Sequence, residues 1–198
     1  MNRPASDSLL APGPLVLAAM ILAAAMSRLL PHLPNFSPLA AIALFGGAYF
    51  ASRRWALLVP LLAMVASDLA LGARLGGTYL EYFTTGGYLP SLLANYACVL
   101  LMVWMAFGLR GKVGGGRVLG YSLAGSGVFF LVSNFAVWLT AHVVAGYPAC
   151  STGLVPCYVA AIPFFQWTVL GTLFYAALLF GGFALLRSRL PALRPQTV

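Results

Sequence analysis

Charge is scarce in this sequence, and acid scarcest of all. Of 198 residues 7% are charged, and the acids number three: Asp7, Asp68 and Glu81. A soluble domain carries about a quarter charged residues, so most of this chain is not built to face water. With so few carboxylates there is no close acid pair for general acid–base work, and neither H-E-x-x-H nor G-x-S-x-G occurs. Ser126, in Ala124–Gly125–Ser126–Gly127, resembles an intramembrane protease nucleophile with Ala in place of the leading Gly. Its only histidine on that helix, His142, would stand about 24 Å further along the axis, beyond any hydrogen bond. No G-x-x-x-x-G-K-[ST] loop is present, and Gly114–Gly115–Gly116 reads as a tether, so ATP hydrolysis by that route is excluded. No enzyme activity, cofactor or metal is therefore expected.

Cysteine is also sparse. Cys98 falls inside an apolar run and reads as a small filler. Cys150 and Cys157 share a polar loop, where a disulfide is the leading reading and free thiols the alternative. With His142 they do not make the paired C-x-x-C pattern of a zinc site.

What the chain has in abundance is apolar residues, 62% of the total. At about 20 residues per crossing, the length suits six membrane spans and one all-α domain over residues 1–198. Apolar segments run over Pro14–Leu30, Phe36–Phe50, Trp55–Leu71, Tyr88–Leu109, Val118–Ala141 and Pro163–Leu186. The second is short, starts near Pro38 and carries Gly46–Gly47 near its end, so it reads as a broken or partly inserted helix that must still cross.

The net charge of +8 is dealt out between these segments, which argues against a nucleic-acid patch. Counting alternate connections puts Arg3, Arg53, Arg54, Arg110, Lys112, Arg117, Arg187, Arg189 and Arg194 on one side and only Arg28 and Arg74 on the other. Nine against two is a positive-inside pattern, with both termini expected in the cytoplasm. A secretory signal over Leu15–Leu22 would be the rival reading, but the apolar run continues past Ala25 and five remaining spans would leave the C-terminus outside.

Three outer connections, Ser27–Pro38, Gly72–Gly87 and His142–Ile162, are longer and richer in Tyr, Phe and Pro, the makeup of binding loops or lids. Polar groups inside the spans gather under them. Asp68 reads either as a ligand-facing or cation-pairing carboxylate, or as a structural cap or ion-pair partner of Arg74 or Arg28. Asn95, Asn134 and Gln166 bring an amide from three helices to similar depth, with Trp138 one turn from Asn134 and Trp167 beside Gln166. The competing reading for each amide is an interhelical hydrogen bond. Ala19 and Ala23 form a small-residue pair on the first helix, suited to an internal neighbour or to a partner protein.

The stretches Pro34–Phe50 (PNFSPLAAIALFGGAYF), Ser67–Asp68, Ser133–Trp138 (SNFAVW) and Cys157–Phe165 (CYVAAIPFF) resemble a family of small bacterial membrane proteins related to the substrate-binding S components of energy-coupling-factor (ECF) vitamin transporters. The resemblance implies a six-helix, inner-membrane protein that captures a vitamin or related micronutrient, with cobalamin as first guess. On the reading from polar residues, Asn35, Asp68, Asn95, Asn134, Trp138, Gln166 and Trp167 are the expected substrate contacts; the resemblance implies that Ala19 and Ala23 form a docking face for a transmembrane coupling protein that carries two ATPases. After CYVAAIPFF the family continues Arg-Asn with an acid following, whereas here Gln166, Trp167 and Thr172 stand, so substrate identity does not carry over. A thiol or redox enzyme using Cys150 and Cys157, and a structural subunit of a membrane complex, are the readings from other classes.

Overall fold

The structure is a computed structural model and describes residues 9–77, 89–142, 147–190 and 193. Among them all regular secondary structure is helical. The helices are α1 (Pro12–Met26), α2 (Leu39–Tyr49), α3 (Arg53–Leu75), α4 (Leu89–Ala106), α5 (Gly115–Thr140), α6 (Pro148–Thr152), α7 (Leu154–Ala176) and α8 (Gly182–Arg189). A π-helical turn, Ala177–Gly181, joins α7 to α8 in one rod, so that Leu154–Arg189 is continuous. Five helices are long and apolar enough to cross a membrane: Pro12–Leu29, Arg53–Leu75, Leu89–Leu109, Gly115–Thr140 and Leu154–Arg189.

The outer faces of these helices are apolar as well as the inner ones. On α3 the buried positions Ala56, Val59, Pro60, Ala63, Met64, Ser67 and Leu71 follow helical spacing, and the opposite face shows Leu58, Leu62, Val65 and Leu69. A soluble helix would carry polar residues there. Leucines exposed on four further helices, together with Trp104 at 67% exposure, complete a surface that suits hydrocarbon and not water.

The centre of the bundle is α2, whose eleven residues are all buried. Its apolar residues encircle the helix, as expected where every side meets protein. At about 16 Å it spans roughly half of a hydrocarbon core. The expected break at Gly46–Gly47 is not there, because the pair serves close packing. A Cβ on Gly46 would lie 2.8 Å from the Pro60 side chain, and one on Gly47 would lie 2.5 Å from the Val103 carbonyl oxygen. Glycine thus lets α3 and α4 press against α2 from two sides. Phe45 and Tyr49 pack edge-on against Phe183, which brings α8 to the same core.

At its C-terminal end α2 leaves carbonyls without helical partners, and Arg110 takes them. Its Nε donates to Gly47 O at 3.0 Å, Nη2 to Phe50 O at 2.8 Å and Nη1 to Ala51 O at 3.4 Å, while the guanidinium lies over the Phe107 ring. Burial, and after it the neighbouring Arg53 charge, press the Arg110 pKa below its ordinary value, yet a guanidinium keeps its proton. Arg53 also stacks on Phe107, so the start of α3 and the ends of α2 and α4 share one level.

At the other end Arg28, just past α1, meets Asp68, late in α3. These two helices therefore run in the same direction, and the chain between them returns through α2 and the extended residues before it. Seven of the described cations, Arg53, Arg54, Arg110, Lys112, Arg117, Arg187 and Arg189, gather at the Arg110 end, with Arg28 and Arg74 at the opposite one.

The last helix differs from expectation. It begins at Leu154, nine residues before Pro163, so much of the loop expected over His142–Ile162 is helical. Pro156 sits in the first turn, where a missing N–H costs nothing, and Pro163 is carried inside the helix. Residues 78–88 and 143–146, within two of the expected outer loops, lie outside the described residues, as do Asp7, Glu81, Arg3 and Arg194.

Candidate functional site

Two adjoining cavities open at the Arg28 end. The larger, about 680 Å³, lies between α4, α5 and α7. Its polar wall is made of amides and hydroxyls: Asn35, Asn95, Asn134, Ser91, Ser133 and Thr168. Phe129, Phe130 and Phe164 supply the apolar surface, and among the described residues no charged side chain lines it. A volume of this order, with aromatic walls and a few convergent polar groups, is the usual form of a small-molecule site.

Backbone packing positions Asn35. The residue adopts φ 64°, a left-handed conformation that asparagine tolerates. The following residues lie against Gly171 of α7, where a Cβ would come within 2.8 Å of the Ser37 nitrogen. The Phe36 ring packs between Phe174 and Tyr175, and the Tyr175 hydroxyl is hydrogen-bonded to Ser27 Oγ at 2.7 Å. The bend that carries Asn35 is thus held by α7 and by the end of α1.

Helix α6 closes the cavity where α5 passes into α7. Tyr147, Pro148, Ala149 and Cys150 line it there, and a disulfide joins Cys150 to Cys157 in the first turn of α7. The two cysteines read as a loop pair in the sequence are therefore bonded, on paired helix ends, and both face the cavity. Cys98 is free and buried. Below the disulfide, Tyr158 donates to Leu131 O at 2.6 Å and fixes α7 on α5.

Asn35, Asn95 and Asn134 come together on this cavity. Asn134 Nδ2 also donates to Phe130 O at 2.8 Å, which leaves its carbonyl oxygen as the acceptor to offer. Trp138, Gln166 and Trp167 do not line it. On α5 the lining face runs through Phe130, Ser133, Val137 and Thr140, with Asn134 at its edge. At about 100° per residue, Trp138 falls beyond that edge, and it packs on the exposed Phe135. On α7 the lining residues Cys157, Ala160, Ala161, Phe164 and Thr168 leave Gln166 nearly opposite, exposed and bonded to its own helix through Pro163 O. Both residues lie in the middle of α7 and not at its start.

The hydroxyls and phenylalanines of the wall stand out less in the sequence than the amides do. Their signal was spacing: Ser91 precedes Asn95 by one turn, and Ser133, Val137 and Thr140 repeat at three and four residues. Not every buried hydroxyl belongs to the site. Ser126, for instance, donates to Ser122 O within its own helix.

Asp68 stands apart from the larger cavity. It is buried, receives Arg28 Nη1 at 2.6 Å, and accepts the Tyr96 hydroxyl at 3.0 Å on its second oxygen. The same Nη1 reaches Ser67 Oγ at 2.6 Å. Of the two readings of Asp68, the geometry gives the ion pair with Arg28, which ties α1, α3 and α4 together.

The second cavity, about 510 Å³, lies between the end of α1, residues 30–38 and the end of α3. Arg28, Arg74 and His32 line it, together with Asn35 and Phe129, which it shares with the larger one. Among the described residues no three His, Cys, Asp or Glu side chains gather as a metal site would need. Ala19 and Ala23 are exposed on α1, so their small faces do not serve an internal contact.

Comparison with curated proteins and with solved structures finds no match. A family profile matches residues 9–193, nearly the whole chain, and the protein thereby belongs to a family of unknown function, DUF6580.

Proposed function

We propose that this protein is a membrane substrate-capture component, similar in kind to the S components of ECF transporters, that binds a vitamin-like micronutrient in an outward-facing cavity. The observation that carries the reading is the cavity of about 680 Å³ whose described polar lining is uncharged and drawn from separate helices at the cation-poor end of the bundle. By the positive-inside rule that end faces out of the cytoplasm. On this reading the chain crosses the bacterial inner membrane six times, with α2 and its extended flank as the second crossing and both termini inside. Labelling by a membrane-impermeant maleimide tests the orientation: Leu30→Cys is reached from outside intact cells and Lys112→Cys is not.

The volume favours a ligand of drug-like size, smaller than the corrinoid that the resemblance suggests first. Asn95 and Asn134 would hydrogen-bond the ligand, and Phe129, Phe130 and Phe164 would pack on it. The exposed Ala19 and Ala23 face of α1 is available to a coupling protein, in keeping with a protein that has no phosphate loop of its own. Mass spectrometry of small molecules that co-purify identifies the ligand. Equilibrium binding then tests the site: Asn134→Ala weakens binding about fivefold, the loss of one neutral hydrogen bond, and Gln166→Ala leaves it unchanged. An unchanged affinity in Asn134→Ala together with Asn95→Ala would sink the proposed pocket.

One observation favours a second reading. The Cys150–Cys157 disulfide faces the cavity, as it would in a membrane thiol–disulfide enzyme. That reading requires turnover with a dithiol, lost on Cys→Ser at either position.

A further inference from the structure

The smaller cavity differs from its neighbour in one respect, charge. Among the described residues Asp68 is the sole acid, and Arg28 pairs with it, so Arg74 has no carboxylate partner among those residues. Arg28 spends only Nη1 on Ser67 and Asp68. A guanidinium carries five N–H donors, and those of Arg28 beyond Nη1 make no hydrogen bond among the described residues while the side chain lines the cavity. Arg74 Nη1 donates to Leu29 O, which holds that side chain across the mouth, beside the end of α1. His32 also lines the cavity, with Nδ1 donating to Leu33 O at 3.0 Å, so its ring proton is spent on the backbone and the donors left for a ligand are those of the two arginines. The guanidinium donors of Arg28 and Arg74 thus converge on about 510 Å³ of space with no carboxylate among its described lining residues.

We propose that this cavity is an oxyanion subsite, in which Arg28 and Arg74 take a carboxylate or phosphate group of a ligand whose uncharged body occupies the larger cavity, the two parts meeting at Asn35. The proposal rests on the substrate-capture reading and names its substrate class: a small planar or apolar body with a single anionic arm. The division of labour follows from the walls. Amides and hydroxyls in the larger cavity read a neutral polar body, and among the described lining residues the charged donors that fix an anion are in the smaller one. Asn35 and Phe129, shared by both, set the length of the link between arm and body.

Matched probe pairs test this on the purified full chain in neutral maltoside micelles: nicotinate with nicotinamide for a carboxylate arm, and pyridoxine 5′-phosphate with pyridoxine for a phosphate arm. Inorganic phosphate alone is a further probe, read by thermal unfolding. The expected result is that the anionic member of at least one pair binds about tenfold more tightly than the neutral one, and that Arg74→Gln removes the preference without moving the neutral member. Which pair discriminates tells carboxylate from phosphate. Arg74 is exposed, so its substitution does not put folding at risk; the double variant Arg28→Gln with Asp68→Asn reports on Arg28 without leaving a lone buried carboxylate.

Equal affinities within both pairs overturn the subsite, as does a preference that survives Arg74→Gln, or a failure of every probe, phosphate included, to bind. A response to added phosphatidylglycerol but to neither soluble pair assigns the cations to the lipid surface and also overturns it. Asn134→Ala separates this proposal from the reading beneath it. If it weakens both members of a pair equally while charge makes no difference, the larger cavity stands and the subsite falls. If phosphate raises the unfolding temperature in the parent but not in Arg74→Gln, and Asn134→Ala changes nothing, the subsite stands and the larger cavity falls.

Discussion

The Arg28 guanidinium, two residues past the end of α1, sits 2.6 Å from the Asp68 carboxylate on α3, and this contact sets two helices parallel at the same height. It is nearly buried on the acid side, where the Asp68 side chain is 5% exposed. Removing one partner of such a pair costs far more than the pair contributes over an uncharged replacement. Arg28→Gln should therefore destabilise the protein by about 3 kcal/mol, and adding Asp68→Asn should restore part of that loss. Unfolding in mixed dodecyl sulfate and maltoside micelles gives the numbers; additive losses in the double variant would contradict the coupling.

Packing at α2 supplies a second prediction. Gly47→Ala forces a methyl to within 2.5 Å of the Val103 carbonyl oxygen, and the neighbour is backbone, which cannot step aside. A loss of about 1–3 kcal/mol is expected. Gly120→Ala, where a Cβ meets nothing within 4 Å, is the control and should be neutral or slightly stabilising.

Arg110 links the end of α4 to three carbonyls at the end of α2. Arg110→Lys keeps the positive charge, and with it the membrane orientation, but loses the planar fork that reaches several acceptors at once. The unfolding midpoint should fall while maleimide accessibility stays the same. The expected cost is about 2 kcal/mol, for hydrogen bonds from a charged donor.

The disulfide closes a short loop, so its effect on the unfolded chain is modest, about 2.5 kcal/mol by loop-entropy arithmetic. Its effect on ligand exchange should be larger in proportion. With α6 released, the cavity loses one wall, and the ligand dissociates faster in Cys150→Ser than in the parent. Dissociation kinetics under oxidising and reducing conditions check this, and identical rates would mean that α6 does not gate the cavity.

Much of the helical layout was legible because lipid imposes a simple rule: long apolar runs cross, and cations stay at the cytoplasmic ends. The start of α7 was not, since Pro163 carries the signal of a helix boundary whether or not the helix has already run from Leu154. The amides were found because a polar group in an apolar run stands out. Their directions were harder, since Asn134 and Gln166 look alike in sequence, and only the register of each helix on its neighbours decides which one faces inward. The Arg28 and Arg74 cavity escaped notice because two residues counted as topology markers carry chemistry only once residues 30–38 fold between them.

The burial of α2 bears on how the protein is made. A segment of eleven residues with no side turned to lipid is too short and too enclosed to settle in a bilayer alone. Biogenesis then has an order: α3 and α4 must be at hand when α2 enters, and a nascent chain stalled before α4 would hold α2 as an unanchored, protease-sensitive hairpin at the membrane surface.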